Sequence, residues 1–146
     1  MISIKQKDIQ RTWHLIDAQN KILGRISSQI AILLMGKHKT YYVANLDTGD
    51  YVVVINAKNV ALSGKKENQK KYWRHSGYPG GLYMKTAKQL RAQKPELLIR
   101  KAVVGMLPKT TMGKQMAKKL YVFASGDHPY AQKFRENSAE SQKKES

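Results

Sequence analysis

Apolar positions along the chain fall into runs whose spacing changes from element to element. From Thr12 to Asp17 (TWHLID), β-branched and aromatic residues form a short run that ends in the polar cluster Asp17 to Lys21, predicting a strand and a turn. From Leu23 to Met35, the apolar residues Ile26, Ile30, Leu33 and Leu34 recur every three or four positions. That spacing puts them on one face of a helix, and Gly36 offers a stop for it. Asp50 to Ala57 (DYVVVINA) is a continuous β-branched run behind the turn signal Asp47-Thr48-Gly49-Asp50, the pattern of a strand covered on both faces. Strand, helix and buried strand in this order predict a right-handed βαβ unit.

Beyond it the pattern breaks. Val60 to Leu62 is long enough for one more short strand, but Ser63 to Gly81 holds too many Lys, Gly and polar residues to bury and is expected to be an exposed excursion. Helices are predicted over Thr86 to Gln93, over Pro95 to Gly105, where Leu98, Ala102 and Val103 share a face behind a Pro-Glu start, and over Thr110 to Lys119. Leu120 to Ala124 (LYVFA) has strand composition and precedes a turn at Ser125-Gly126-Asp127. The sixteen residues from Ala131 onward carry four basic and three acidic groups with hardly any apolar ones. Burial there cannot offset ordering entropy, so residues 131–146 are expected to form a polar tail, mobile or ordered by partners, behind a single domain spanning residues 1–130.

Composition narrows the class. A chain of 146 residues, 41% of them hydrophobic, supports one packed core. Without cysteine there is neither a disulfide framework nor a thiolate zinc site, which fits a reducing, cytoplasmic setting. The longest apolar run, Ile30 to Met35, is far short of the roughly 20 residues a membrane span needs, and Met1 to Gln10 lacks the apolar stretch of a secretory signal. Charge changes the picture most. With 27 Lys and Arg against 10 Asp and Glu, the net charge of +17 disfavours homo-oligomers and attracts polyanions. Between Lys58 and Lys119 there are 16 basic residues and two acidic ones, so the excess belongs to the body rather than to a tail.

The excursion is where that charge meets suitable chemistry. Lys65, Lys66, Lys70, Lys71 and Arg74 are interleaved with Tyr72, Trp73, His75 and Tyr78, around Ser76 and the glycines Gly77, Gly80 and Gly81. Cations meet phosphates, flat rings stack on unpaired bases, and glycine backbone approaches a phosphate closely, a combination that suits RNA. The alternative is a hairpin whose aromatic rings cover a sheet edge. Lys37, His38 and Lys39 follow a predicted helix end, where the macrodipole also favours cations. Arg100, Lys109, Lys114 and Lys118 complete the set of candidate RNA contacts.

Enzymatic readings find little support. Neither G-x-G-x-x-G nor G-x-x-x-x-G-K-[ST] occurs, and Ser63-Gly64-Lys65-Lys66 is too short to count as a phosphate loop. His14, His38, His75 and His128 show no metal-ligand spacing, and Asp17, Asp47, Asp50 and Asp127 sit in predicted turns, where Asp caps backbone. No catalytic residue, metal site or cofactor is therefore expected.

Several stretches, in order, resemble the ribosomal protein L-thirteen family of the bacterial type. They are Trp13 to Ala18, Leu23-Gly24-Arg25, Gly36-Lys37-His38-Lys39, Gly49 to Ala57, His75-Ser76-Gly77-Tyr78-Pro79-Gly80-Gly81, Gly105-Met106-Leu107-Pro108 and then Gly113-Lys114. The resemblance runs from about Trp13 to Pro129. It departs near the end, where His128-Pro129-Tyr130 stands in the place of a segment with a second histidine, Phe134 lies where a proline is expected shortly afterwards and Ser125 replaces a commoner glycine. The resemblance implies a three-layer α/β/α domain around a mainly parallel four-stranded sheet. It also implies large-subunit ribosomal RNA and neighbouring large-subunit ribosomal proteins as partners, a role in early subunit assembly and no enzymatic activity. Messenger RNA stays open as an alternative ligand, since the same basic surface suits it.

Overall fold

The computed structural model describes residues 3–137. Three parallel strands, β1 (Trp13–Asp17), β2 (Tyr51–Ile55) and β5 (Leu120–Val122), form a sheet in the order β1-β2-β5. A separate antiparallel pair, β3 (Lys71–His75) and β4 (Leu82–Thr86), makes a hairpin. The helices are α1 (Leu23–Met35), α2 (Lys66–Gln69), α3 (Ala87–Gln93), α4 (Glu96–Met106) and α5 (Thr111–Ala117).

The βαβ unit forms as its spacing predicts. Helix α1 buries Leu23, Ile26, Ser27, Ile30, Ala31 and Leu34, a stripe repeating every three to four residues, and it stops where Gly36 turns left-handed at φ 80°. Strand β2 is covered on both faces, with Val52, Val53 and Val54 all at 0% exposure. Val52 and Val54 share a face with Leu120 and Ile16 and pack into the core made by α1 and α4. Each fully buried Val, Leu or Ile of that core contributes roughly 1.5–3 kcal/mol of transfer free energy. Side chains alternate along a strand, so Val53 points the other way, with Trp13, Tyr51 and Tyr121 on its face. There Trp13 stacks on Tyr51 with centroids 4.5 Å apart and on Tyr130 at 5.2 Å.

The α/β architecture is thus as expected, but the sheet has three strands rather than four. Val60 to Leu62 contributes one parallel bridge, Ala61 to Ile22. Ile22 is the residue from which α1 starts, so its backbone leaves the extended conformation at once and no ladder can grow. The excursion also differs from a loop, because Leu82 to Thr86, unrecognised in the sequence, pairs with Lys71 to His75 over five residues. Residues 131–137, read from sequence as the start of a polar tail, are helical, and the Asn137 amide donates to the Trp13 carbonyl at 3.0 Å. The remainder of that stretch, 138–146, lies outside the described residues.

Candidate nucleic-acid interface

The hairpin carries the candidate contacts outward. Its tip, Ser76 to Gly81, is closed by Ser76 N–H donating to the Gly81 carbonyl (2.9 Å) and Gly81 N–H to that of Tyr78 (3.0 Å). Gly77 and Gly80 hold φ of +87° and +72° with open space around them, so their backbone faces solvent. Gly81 does not: it is buried, and a Cβ there would meet the Ser76 hydroxyl. Lys65, Lys66, Lys70, Lys71, Arg74, His75 and Ser76 are exposed, as are Lys37, Arg100, Lys109, Lys114 and Lys118 elsewhere. None of these Lys and Arg side chains forms an ion pair among the described residues.

The rings divide between the two readings. Trp73 is 60% exposed and Tyr78 75%, and both project from the hairpin. Tyr72 instead packs against the core, and burial pushes its phenol pKa up. Replacing Tyr72 with Ala should cost roughly 1.5–3 kcal/mol of stability. Trp73→Ala or Tyr78→Ala should stay within about 0.5 kcal/mol, as for other surface positions. Thermal melting of the purified variants, before any RNA is added, checks both.

The hairpin is held to the body by residues that sequence reading missed. Glu67 of α2 accepts from Arg91 of α3 through two bonds, Nε to Oε1 at 2.9 Å and Nη2 to Oε2 at 3.0 Å. The same guanidinium donates from Nη1 to the Lys58 and Val60 carbonyls, each at 2.7 Å. The planar fork of Arg suits this clamp, which fixes the base of the excursion. Thr86 caps α3 by accepting from Gln89 N–H at 3.4 Å, while the Gln89 side chain accepts from Thr86 N–H at 3.1 Å.

Lys39 is not part of the exposed set. Its ammonium lies 2.6 Å from Oδ1 of the buried Asp50 and donates to the carbonyls of Gln10 (2.6 Å) and Thr48 (2.7 Å). Asp50 Oδ2 is met by Nε2 of His14 at 2.8 Å and of His38 at 3.1 Å, and Oδ1 accepts from Thr12 N–H at 3.1 Å. Burial alone would raise the Asp50 pKa. The bonds from His14, Lys39 and Thr12, with the charge of Lys39, outweigh it and hold the carboxyl well below the usual carboxylate range. Similarly, Lys119 is buried, which lowers its pKa against the opposing pull of Asp47, whose Oδ1 accepts a hydrogen bond from its ammonium at 2.6 Å.

His14, His38 and Asp50 offer three ligand-type atoms within 4.8 Å of one another, a convergence invisible in their sequence spacing. Four donors, one of them an ammonium, already satisfy this carboxylate, so the group works as a charge cluster joining β1, β2 and the segment after α1. It is also unlike a nucleophile triad. His14 meets both the Thr12 hydroxyl (3.1 Å) and Asp50 through Nε2, whereas a triad histidine uses opposite nitrogens. No helix among the described residues is long and apolar enough to cross a membrane.

An α/β core in which Asp47 and Asp50 are neutralised internally, carrying an outward-facing set of lysines and arginines without ion pairs among the described residues, defines a small basic α/β protein. The family model described as ribosomal protein L13 matches residues 11–129. The chain belongs to the ribosomal protein L13 family. It is 55% identical over 128 residues to the large ribosomal subunit protein uL13 of Thermobifida fusca, covering 88% of this chain and 86% of that one. The uL13 protein of Dictyoglomus thermophilum is 53% identical over 133 residues, 90% and 94% of the two chains, and that of Syntrophotalea carbinolica is 50% identical over 127 residues, 87% and 89%.

Proposed function

We propose that this protein is a constituent of the large ribosomal subunit in the cytoplasmic ribosome, that it binds large-subunit ribosomal RNA through its exposed basic hairpin and the cations around it, and that it supports early subunit assembly. Family membership supports the location, and neighbouring large-subunit proteins are the expected protein partners. The observation that carries the RNA-binding reading is the set of exposed lysines and arginines without carboxylate partners, concentrated on one excursion that also exposes Trp73 and Tyr78. Unpaired cations release condensed counterions when they meet phosphates, and exposed rings add stacking on unpaired bases. Lys39, taken up by Asp50, contributes to folding instead.

The test is binding of the purified chain to a large-subunit rRNA fragment across a salt series. Affinity should fall steeply with salt, each phosphate contact adding roughly 0.7–0.9 to the slope. Replacing Lys70, Lys71 and Arg74 with Ala should weaken binding to every RNA, reduce the slope by roughly one per lost contact and leave folding intact. Crosslinking in cells, followed by sequencing of the bound RNA, gives an independent check. A flat salt response, or crosslinks confined to messenger RNA, defeats the reading.

A further inference from the structure

The hairpin has a second face, turned toward the helices. Antiparallel register pairs Tyr72 with Lys85 and Arg74 with Tyr83, so these four side chains share that face. With Leu90 of α3 and Leu97 and Lys101 of α4, they line a pocket of about 440 Å³. Clefts that take small ligands run from roughly 300 to 1,000 Å³.

Three properties of the lining restrict its occupant. The first is charge: Arg74, Lys85 and Lys101 contribute cations, no carboxylate lines the pocket, and none of the three is ion-paired among the described residues. Lys85 donates to a neutral amide oxygen, that of Gln93, at 2.6 Å. The second is flatness. The Tyr83 ring is 62% exposed, and the Tyr72 ring has the ammonium groups of Lys101 and Lys70 at 5.1 and 5.6 Å from its centroid. The third is an unmet hydrogen bond, because the Tyr72 hydroxyl is buried without a partner among the described residues. Leaving such a group unpaired is unfavourable, a cost that a polar ligand atom placed there would relieve. A small inorganic anion answers the charge but not the rings or the leucines. A flat heterocycle joined to a phosphate answers all three.

We propose that this pocket takes one unpaired nucleotide of a bound RNA strand, its base beside the rings of Tyr72 and Tyr83 and its phosphate among Arg74, Lys85 and Lys101. The inference rests on the RNA-binding reading above and assigns it a defined subsite on the inner face of the hairpin. The outer face, with Trp73, stays available to neighbouring bases, since successive residues of a strand point to opposite sides.

The full chain can be titrated into a single-stranded RNA of about seven nucleotides, a length within the usual site sizes, carrying a central 2-aminopurine whose fluorescence is quenched on stacking. Saturable quenching is expected. Tyr83→Ala and Lys101→Gln should each weaken it on the order of tenfold, while Lys7→Gln, an equal charge loss on the exposed N-terminal segment, should stay within about twofold. Both pocket side chains are exposed, so melting temperatures should not move, and any variant that does melt early is replaced by Arg74→Gln. Free adenosine monophosphate at the oligonucleotide's own concentration should not displace it. Displacement would mean a free-nucleotide site and would overturn the proposal, as would affinities of Tyr83→Ala and Lys101→Gln within about twofold of the parent. Unchanged affinities alongside salt-dependent rRNA binding would sink the pocket and leave the RNA-binding reading standing. A parent chain that does not distinguish large-subunit rRNA from unrelated RNA defeats that reading, and the oligonucleotide arm still decides the pocket.

Discussion

Replacing Asp50 with Ala should destabilise the protein by roughly 3–5 kcal/mol, because it leaves a largely buried ammonium without its counter-charge. Lys39 is only 10% exposed at its side chain and sits 2.6 Å from the Asp50 carboxylate, which is itself at 0%. Removing the carboxylate also frees the Thr12 amide and both histidine Nε2 atoms from their acceptor, loosening β1 against β2 and the segment after α1. Asp50→Asn keeps the shape and one acceptor oxygen and should cost less. Chemical denaturation measures both. The same cluster sets an acid limit. The folded-state pKa of Asp50 is depressed, so its contribution is fully present above the unfolded carboxyl value of about 3.9 and is lost as pH falls through the lower folded value. Stability of the parent should therefore decline as pH drops below about 4, and the decline should be shallower in Asp50→Asn. Equal acid slopes for the two proteins would show that other carboxylates govern the limit.

Leu98→Ala should cost roughly 2–5 kcal/mol, read as a drop in denaturation midpoint at unchanged slope. Leu98 is at 0% exposure on α4, beside Ile99 and Val103, in the cluster that joins α1, α4 and the Val52 and Val54 face of the sheet. The loss combines the transfer free energy of the deleted methyl groups with the cavity left between α1 and α4, helices that cannot close up without moving the sheet. Helix α4 also carries Arg100 and Lys101 on its solvent side, so the variant tests whether the core supports the basic surface. Binding to RNA measured well below the variant's melting temperature should match the parent, since no cation is removed. A binding loss under those conditions would mean that α4 shifts bodily and drags its cations along.

How much of this was legible in the sequence differs from element to element. Helix α1 was readable to the residue because Ile26, Ile30 and Leu34 repeat locally and Gly36 ends it, and β2 because three consecutive valines need cover on both faces. Strand β4 was not. Leu82, Tyr83, Met84, Lys85 and Thr86 mix polar and apolar residues without a burial pattern, since the hairpin stands out from the core and most of both strands is exposed. Its pairing with β3 comes from backbone hydrogen bonds and the tight tip, which side-chain periodicity does not record. The predicted fourth strand failed for a related reason. Val60 to Leu62 has strand composition, yet its partner Ile22 turns into α1, and composition is blind to where a neighbour ends.

The candidate site shows the same division. Lys39 and Lys70 look alike in the sequence, each a lysine in a basic run and each a candidate RNA contact. Asp50 reads as a turn cap, His14 as a histidine without metal-ligand spacing, and His38 as a further candidate RNA contact. Folding brings Asp50 within 2.6 Å of Lys39 and leaves Lys70 exposed, without an ion pair among the described residues. The sign and amount of charge, the lack of thiol chemistry, and the helices and strands with regular apolar spacing follow from residue order, because these are sums or local periodicities along the chain. Which cations remain free for a polyanion, which tyrosine packs inward and which residues wall the inner face of the hairpin follow from the folded arrangement. Those outcomes depend on distances between residues far apart in the chain, and Coulomb and hydrogen-bond energies change steeply over the few ångströms that separate a neutralised charge from an available one.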